Sequence, residues 1–134
     1  MSRLSLLAIA ALLLGASPAF VQEAELARPN PVLRQIVESM PKGDRQEVHL
    51  MTAAFKPGDR TVFHTHRFPV TVYVLEGTFT LEMEGRGSVT VKAGEGMVEP
   101  PSVRMTGYNR GSGPLRVVIF YVAEPGTPFL DVLH

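Results

Sequence analysis

The 134-residue sequence contains no cysteine and no tryptophan. Without thiols there is no disulfide, no thiolate nucleophile and no thiolate metal ligand. Chemistry in this chain therefore falls to imidazole, carboxylate, hydroxyl and thioether groups. An excess of one charge is also lacking, since thirteen Lys and Arg offset thirteen Asp and Glu. With neither a basic stripe nor an acidic run, nucleic acid is not an expected partner. Long apolar runs are absent too. The longest, Leu4 to Leu14, is broken only by Ser5 and falls short of the roughly 20 residues a membrane-spanning helix requires.

That run has a different use. Arg3 precedes it, and Ser17-Pro18-Ala19 follows with small residues where a signal peptidase reads. Residues 1–19 are expected to be a secretory signal peptide cut after Ala19, leaving a periplasmic or secreted protein with no stable membrane span. No twin-arginine pair is present, so export as an unfolded chain is expected.

What the chain has in quantity is turn residues, with 12 Gly and 11 Pro. Residues 20–45 are expected to link the signal to the domain and to carry one short helix. Asn30-Pro31 resembles a capped helix start, Leu33, Ile36, Val37 and Met40 recur at helical spacing, and Pro41-Lys42-Gly43-Asp44 stops them. From residue 46 to 134 the pattern is strands and turns. The expected strands are Glu47–Phe55, Thr61–His66, Val70–Glu76, Thr78–Glu84, Ser88–Val91, Met97–Glu99, Val103–Asn109 and Leu115–Val122. The last is almost continuously apolar, which predicts cover on both faces. The apolar tail Phe129–Leu133 is expected to cover an edge strand or to join a partner subunit. The fold class is all-β, a sandwich or barrel of short strands.

The most informative stretch is His64-Thr65-His66. Side chains alternate across a strand, so both imidazoles share one face with Cα atoms roughly 6.6 Å apart. They can then meet one metal ion, or simply hydrogen-bond within a polar barrel mouth.

Two motifs surround the pair. The first is Gly58, five residues, His64-Thr65-His66, then Tyr73-Val74-Leu75-Glu76-Gly77; the second is Gly94, five residues, Pro100, then Asn109-Arg110-Gly111. Together they resemble a single-domain cupin, and the resemblance implies a double-stranded β-helix or jelly-roll barrel with the motifs facing each other across its mouth. It also implies a metal held by two His and a Glu of the first motif and a His of the second. His64 and His66 match that set. The Glu position, separated from Gly77 by six residues, is Val70, and the second-motif His position, four residues before Asn109, is Met105. Valine cannot ligate, and a thioether suits Cu(I) better than Fe(II) or Mn(II).

The expected metal ligands are therefore His64 and His66, with Met105 as a candidate third; the alternative for Met105 is a flexible core filler. The expected ligand pocket is lined by Phe63, Val70, Val72 and Met105. Glu99, just before Pro100, is the acid/base candidate near the mouth, with a solvated or salt-bridged rim residue as its alternative. Arg104 alternates with Met105 and is expected at the surface. No residue can be given a catalytic role from sequence. Three functions compete: an exported small-molecule-binding cupin carrying a divalent metal, a metal-dependent hydrolase, lyase, isomerase or oxygenase using the same site, and a periplasmic copper-binding protein using His64, His66 and Met105. A homodimer is expected from the resemblance and the apolar tail.

Overall fold

A computed structural model describes residues 23–134. The signal peptide expected over residues 1–19 lies outside the described residues. Nine strands are formed among the described residues: β1 (Glu47–Phe55), β2 (His64–Thr65), β3 (Val70–Glu76), β4 (Thr78–Met83), β5 (Gly87–Lys92), β6 (Gly96–Glu99), β7 (Met105–Tyr108), β8 (Leu115–Ala123) and β9 (Asp131–Val132). They make a four-stranded sheet in the order β1-β8-β3-β6 and a five-stranded sheet in the order β5-β4-β7-β2-β9. All pairs are antiparallel.

Alternation decides what each strand buries. In β3, Val70, Val72 and Val74 point inward and are buried, while Thr71 and Tyr73 are half-buried on the other face. Their partners on β8 are Tyr121, Ile119 and Val117, and Tyr121 and Val117 join them in the core. Phe79 and Leu81 close the core from β4, in the opposite sheet. Burying a side chain of this kind is worth about 1.5–3 kcal/mol, so the valines of β3 and their neighbours fix which face of each strand turns inward. A slip of one residue would expose them all.

Gly77 makes the β3–β4 turn possible. Its φ is +80°, and a Cβ there would sit 2.4 Å from the Pro114 carbonyl oxygen. Only glycine accepts both the left-handed backbone and the close approach.

Two expectations change, and one of two alternatives is chosen. The helix expected between Asn30 and Pro41 does not form; among the described residues before β1 there is no regular secondary structure. Leu33, Gln35 and Val37 instead lie beside Thr71, Val98 and Phe120 on the outer face of the first sheet, and Ile36, between them in sequence, is 96% exposed. A helix of about ten residues is marginal alone, so packing on the sheet outweighs the helical spacing. The last long strand is also not covered on both faces, since Arg116 and Phe120 of β8 are exposed. The tail, finally, pairs within its own chain: β9 adds to β2, with His64 opposite Val132 and Thr65 opposite Asp131.

Candidate metal centre

Three residues on two strands and their ends make the site. His64 opens β2 and His66 follows its end. Both are buried, and the rings meet edge to face with centroids 4.7 Å apart. Glu99 ends β6 and is also buried, at 5% exposure. Its Oε2 lies 3.0 Å from His66 Nε2, and His66 Nε2 lies 3.1 Å from His64 Nε2. The three ligand atoms fall within 4.8 Å of one another.

The outer nitrogens settle the protonation pattern. His64 Nδ1 is 2.7 Å from the Val62 carbonyl oxygen, and His66 Nδ1 is 2.7 Å from the Phe129 carbonyl oxygen. A carbonyl only accepts, so each Nδ1 carries the hydrogen, and in the neutral rings each Nε2 keeps its lone pair. Burial holds the His64 pKa below its ordinary 6.5, which keeps that ring neutral at neutral pH. With both rings neutral, two lone pairs and a carboxylate converge on one point; a proton on His66 Nε2 would instead be donated to Glu99. Such a constellation attracts a cation, and histidines anchored through Nδ1 to carbonyls are the usual orientation of metal ligands.

The position of Glu99 explains how the carboxylate arrives. Val70 occupies the place where the cupin resemblance implies a ligating Glu, and Glu99 is its register partner across the β3–β6 ladder. Side chains directly opposite in an antiparallel pair share a face, with Cβ atoms about 4.5–5.5 Å apart. The carboxylate is therefore supplied from the neighbouring strand. Sequence reading had Glu99 as an acid/base candidate or rim residue, and did not join it to the histidines. Its burial excludes a solvated rim.

The three groups face a cavity of about 50 Å³ whose wall is otherwise apolar apart from Thr61, with Phe55, Val72, Phe79 and Ile119 from the barrel and Phe129 and Leu130 from the tail. Of the residues expected to line it, Val72 does so. Phe63 borders a separate groove on the outside of the second sheet, because alternation turns it away from inward His64. Val70 is packed in the core and does not border the cavity. Met105 is also fully buried in that core. It stands directly opposite both His64 and Met83 in the sheet, yet it is not part of the cavity wall. Arg104 is exposed and 3.7 Å from Glu84.

Comparison with known proteins follows the same line. The family pattern described as "Cupin domain" matches residues 51–121. The chain belongs to the cupin family. A search of curated proteins found no match. Among solved structures, this cupin resembles a cupin family protein with a double-stranded β-helix fold from Methanocaldococcus jannaschii, at 18% identity and TM-score 0.55, covering 69% of this chain and 94% of that one. It also resembles the polyketide cyclase RemF from Streptomyces resistomycificus, at 24% identity and TM-score 0.53, covering 65% and 61%. A third similarity is to a chain from crystal structures of the DMSP lyases RdDddP and RnDddQII, at 11% identity and TM-score 0.55, covering 65% of this chain and 44% of that one. This cupin thus spans less than half of that third chain. At such identities the shared feature is the fold, and a cupin barrel hosts many chemistries.

Proposed function

We propose that this protein is an exported, small-molecule-binding cupin whose barrel holds one divalent metal ion on His64, His66 and Glu99. The observation that carries it is the anchoring of both Nδ1 atoms on carbonyls, which leaves two Nε2 lone pairs and a buried carboxylate aimed at one point. Two imidazoles and one carboxylate suit iron(II), manganese or zinc, and two His with one carboxylate is the facial set of non-haem iron oxygenases. Bound there, the ion would supply Lewis acidity and open coordination positions. The chain's own groups orient the two rings and surround the ligand with largely apolar walls.

Metal-dependent catalysis is the second function considered, favoured by the same three-ligand set, because a metal with only three protein ligands keeps positions for substrate and water. Copper storage or transfer through His64, His66 and Met105 is less well supported. Met105 lies beside His64 in the sheet, but the carboxylate competes for the same ion, and hard oxygen disfavours Cu(I). Self-association into a homodimer remains an expectation of the family resemblance; β9 pairs with β2 of its own chain and leaves its other edge as the end of the sheet.

The test is metal titration of protein purified without nickel affinity and stripped by chelator. One equivalent of manganese, iron(II), cobalt(II) or zinc is expected, with binding lost in both His66→Ala and Glu99→Gln. Uptake of none of these ions, or uptake indifferent to both substitutions, removes the proposal. One equivalent of Cu(I) that depends on Met105 and not on Glu99 would select the copper function.

A further inference from the structure

The cavity's outer wall is the end of the chain. Phe129 and Leu130 line it, and they follow Glu124-Pro125-Gly126-Thr127-Pro128, a Pro- and Gly-rich turn closed by a hydrogen bond from the Thr127 amide to the Glu124 carbonyl. Besides the β2–β9 ladder, further contacts fasten the tail. The Arg67 guanidinium donates two bonds of 2.9 Å to the Asp131 carboxylate. The Leu133 amide donates to the Phe63 carbonyl at 2.9 Å. The Phe129 ring packs against His66 at 4.9 Å and stands edge-on to Tyr121 at 5.5 Å. His66 belongs to the second sheet's side of the site and Tyr121 to β8 of the first sheet, so the tail bridges the barrel mouth. The same segment provides the Phe129 carbonyl that accepts from His66 Nδ1. One stretch of chain therefore walls one side of the cavity and orients a metal ligand.

We propose that residues 129–134 form a strap that governs both access to the site and its ligand class. Docked, it leaves about 50 Å³ beside His64, His66 and Glu99. That space takes an ion and roughly two or three further small atoms, so the exogenous ligand is a species such as water, hydroxide, dioxygen or a small linear anion. An organic substrate reaches the site only when the strap lifts. Lifting also withdraws the Phe129 carbonyl, so opening and loosening of His66 are one event. The Arg67–Asp131 clasp, both of whose side chains are exposed, holds the strap without belonging to the core. Phe129 and Leu130 are the specificity-determining residues, and the Phe129 carbonyl positions His66.

The ligand-class part rests on the metal reading above; the strap itself does not, and two measurements keep them apart. The first uses metal-free protein. Carbethoxylation of His64 and His66 by diethyl pyrocarbonate is followed by peptide mass spectrometry, with His49 as the internal reference. In the clasp-free variant Arg67→Ala with Asp131→Ala, the two site histidines are expected to react up to about fivefold faster, the scale of one well-formed surface ion pair, with His49 unchanged. The charge-swapped variant, Arg67→Asp with Asp131→Arg, is expected to restore slow modification. Equal rates in wild type and clasp-free variant overturn the strap.

The second uses the cobalt(II) absorption spectrum. Azide is expected to shift it in wild type and variant alike, whereas imidazole shifts it only in the variant. Imidazole acting equally on both overturns the size limit. Faster carbethoxylation without any cobalt spectrum would sink the metal reading and leave the strap standing. A cobalt spectrum with unchanged carbethoxylation would do the reverse.

Discussion

The molecule has two concave regions that differ in almost every respect. The groove outside the second sheet, bordered by Arg60, Phe63, Glu82, Glu84, Arg104 and Tyr108, has a volume of about 570 Å³, more than ten times the 50 Å³ of the interior cavity. Both of its carboxylates are already paired. Arg110 pairs with Glu82 while lying over the Tyr108 ring at 4.2 Å, and Arg104 pairs with Glu84. The interior cavity is small, but its carboxylate and two imidazoles converge without a cation among them. Exposed pairs in high dielectric are nearly neutral in free energy. Buried acceptors facing one another are costly until something positive joins them. The difference teaches that unmet electrostatic demand, and not volume, marks the place where this barrel has a task.

The contrast breaks most sharply with His66→Ala. Affinity for manganese or zinc, read by calorimetry, is expected to fall more than about 100-fold, beyond the loss typical of outer-sphere changes. Unchanged affinity would move ion binding to the groove or elsewhere. Next comes Glu99→Gln, which preserves shape and removes charge; affinity is expected to fall at least about tenfold. A full-affinity Gln variant would make Glu99 a hydrogen-bond partner of His66 and nothing more.

Packing around the cavity gives the third test. A Cβ on Gly107 would lie 2.6 and 2.8 Å from atoms of the Phe79 ring, so Gly107→Ala should cost about 1–3 kcal/mol in urea unfolding. A neutral substitution would mean that Phe79 has room to retreat. Met105→Leu sharpens the choice of ligand set: stability should change by less than about 1.5 kcal/mol and divalent affinity should hold. Loss of manganese binding in that variant would put the thioether at the ion.

The smallest effect belongs to the groove. Arg110 holds the Glu82 pKa below its ordinary 4.5. The unfolded chain therefore takes up the proton first as pH falls, and the pair's contribution is present above 4.5 and lost as pH drops through the lower folded value. Glu82→Gln should alter only the acid limb of a Tm-against-pH curve and scarcely its neutral plateau. A large change at neutral pH would show that the outer pairs matter more than their exposure suggests.

Much of this architecture was legible in the residues. The strands Glu47–Phe55 and Val70–Glu76 form as the alternation predicts, because their side chains are sorted by face. The inward pairing of His64 and His66 follows from period two alone. Glu99 was legible as a residue near the mouth but not as a partner of the imidazoles. Its role depends on β6 pairing with β3 so that it stands opposite Val70, a long-range register that no local pattern encodes. The absent helix at residues 30–41 has the reverse cause. Local spacing there favoured a helix, and contact of Leu33 and Val37 with the sheet overrode it. The tail's role at the site was equally hidden, since a backbone carbonyl such as that of Phe129 leaves no trace in residue type.

The central claim is best tested by anomalous scattering from a crystal soaked in cobalt(II) or manganese. One peak is predicted inside the barrel, within about 2.0–2.2 Å of His64 Nε2, His66 Nε2 and a Glu99 carboxylate oxygen. An interior without a peak, or a peak bound to the Met105 sulfur with Glu99 turned away, would contradict it.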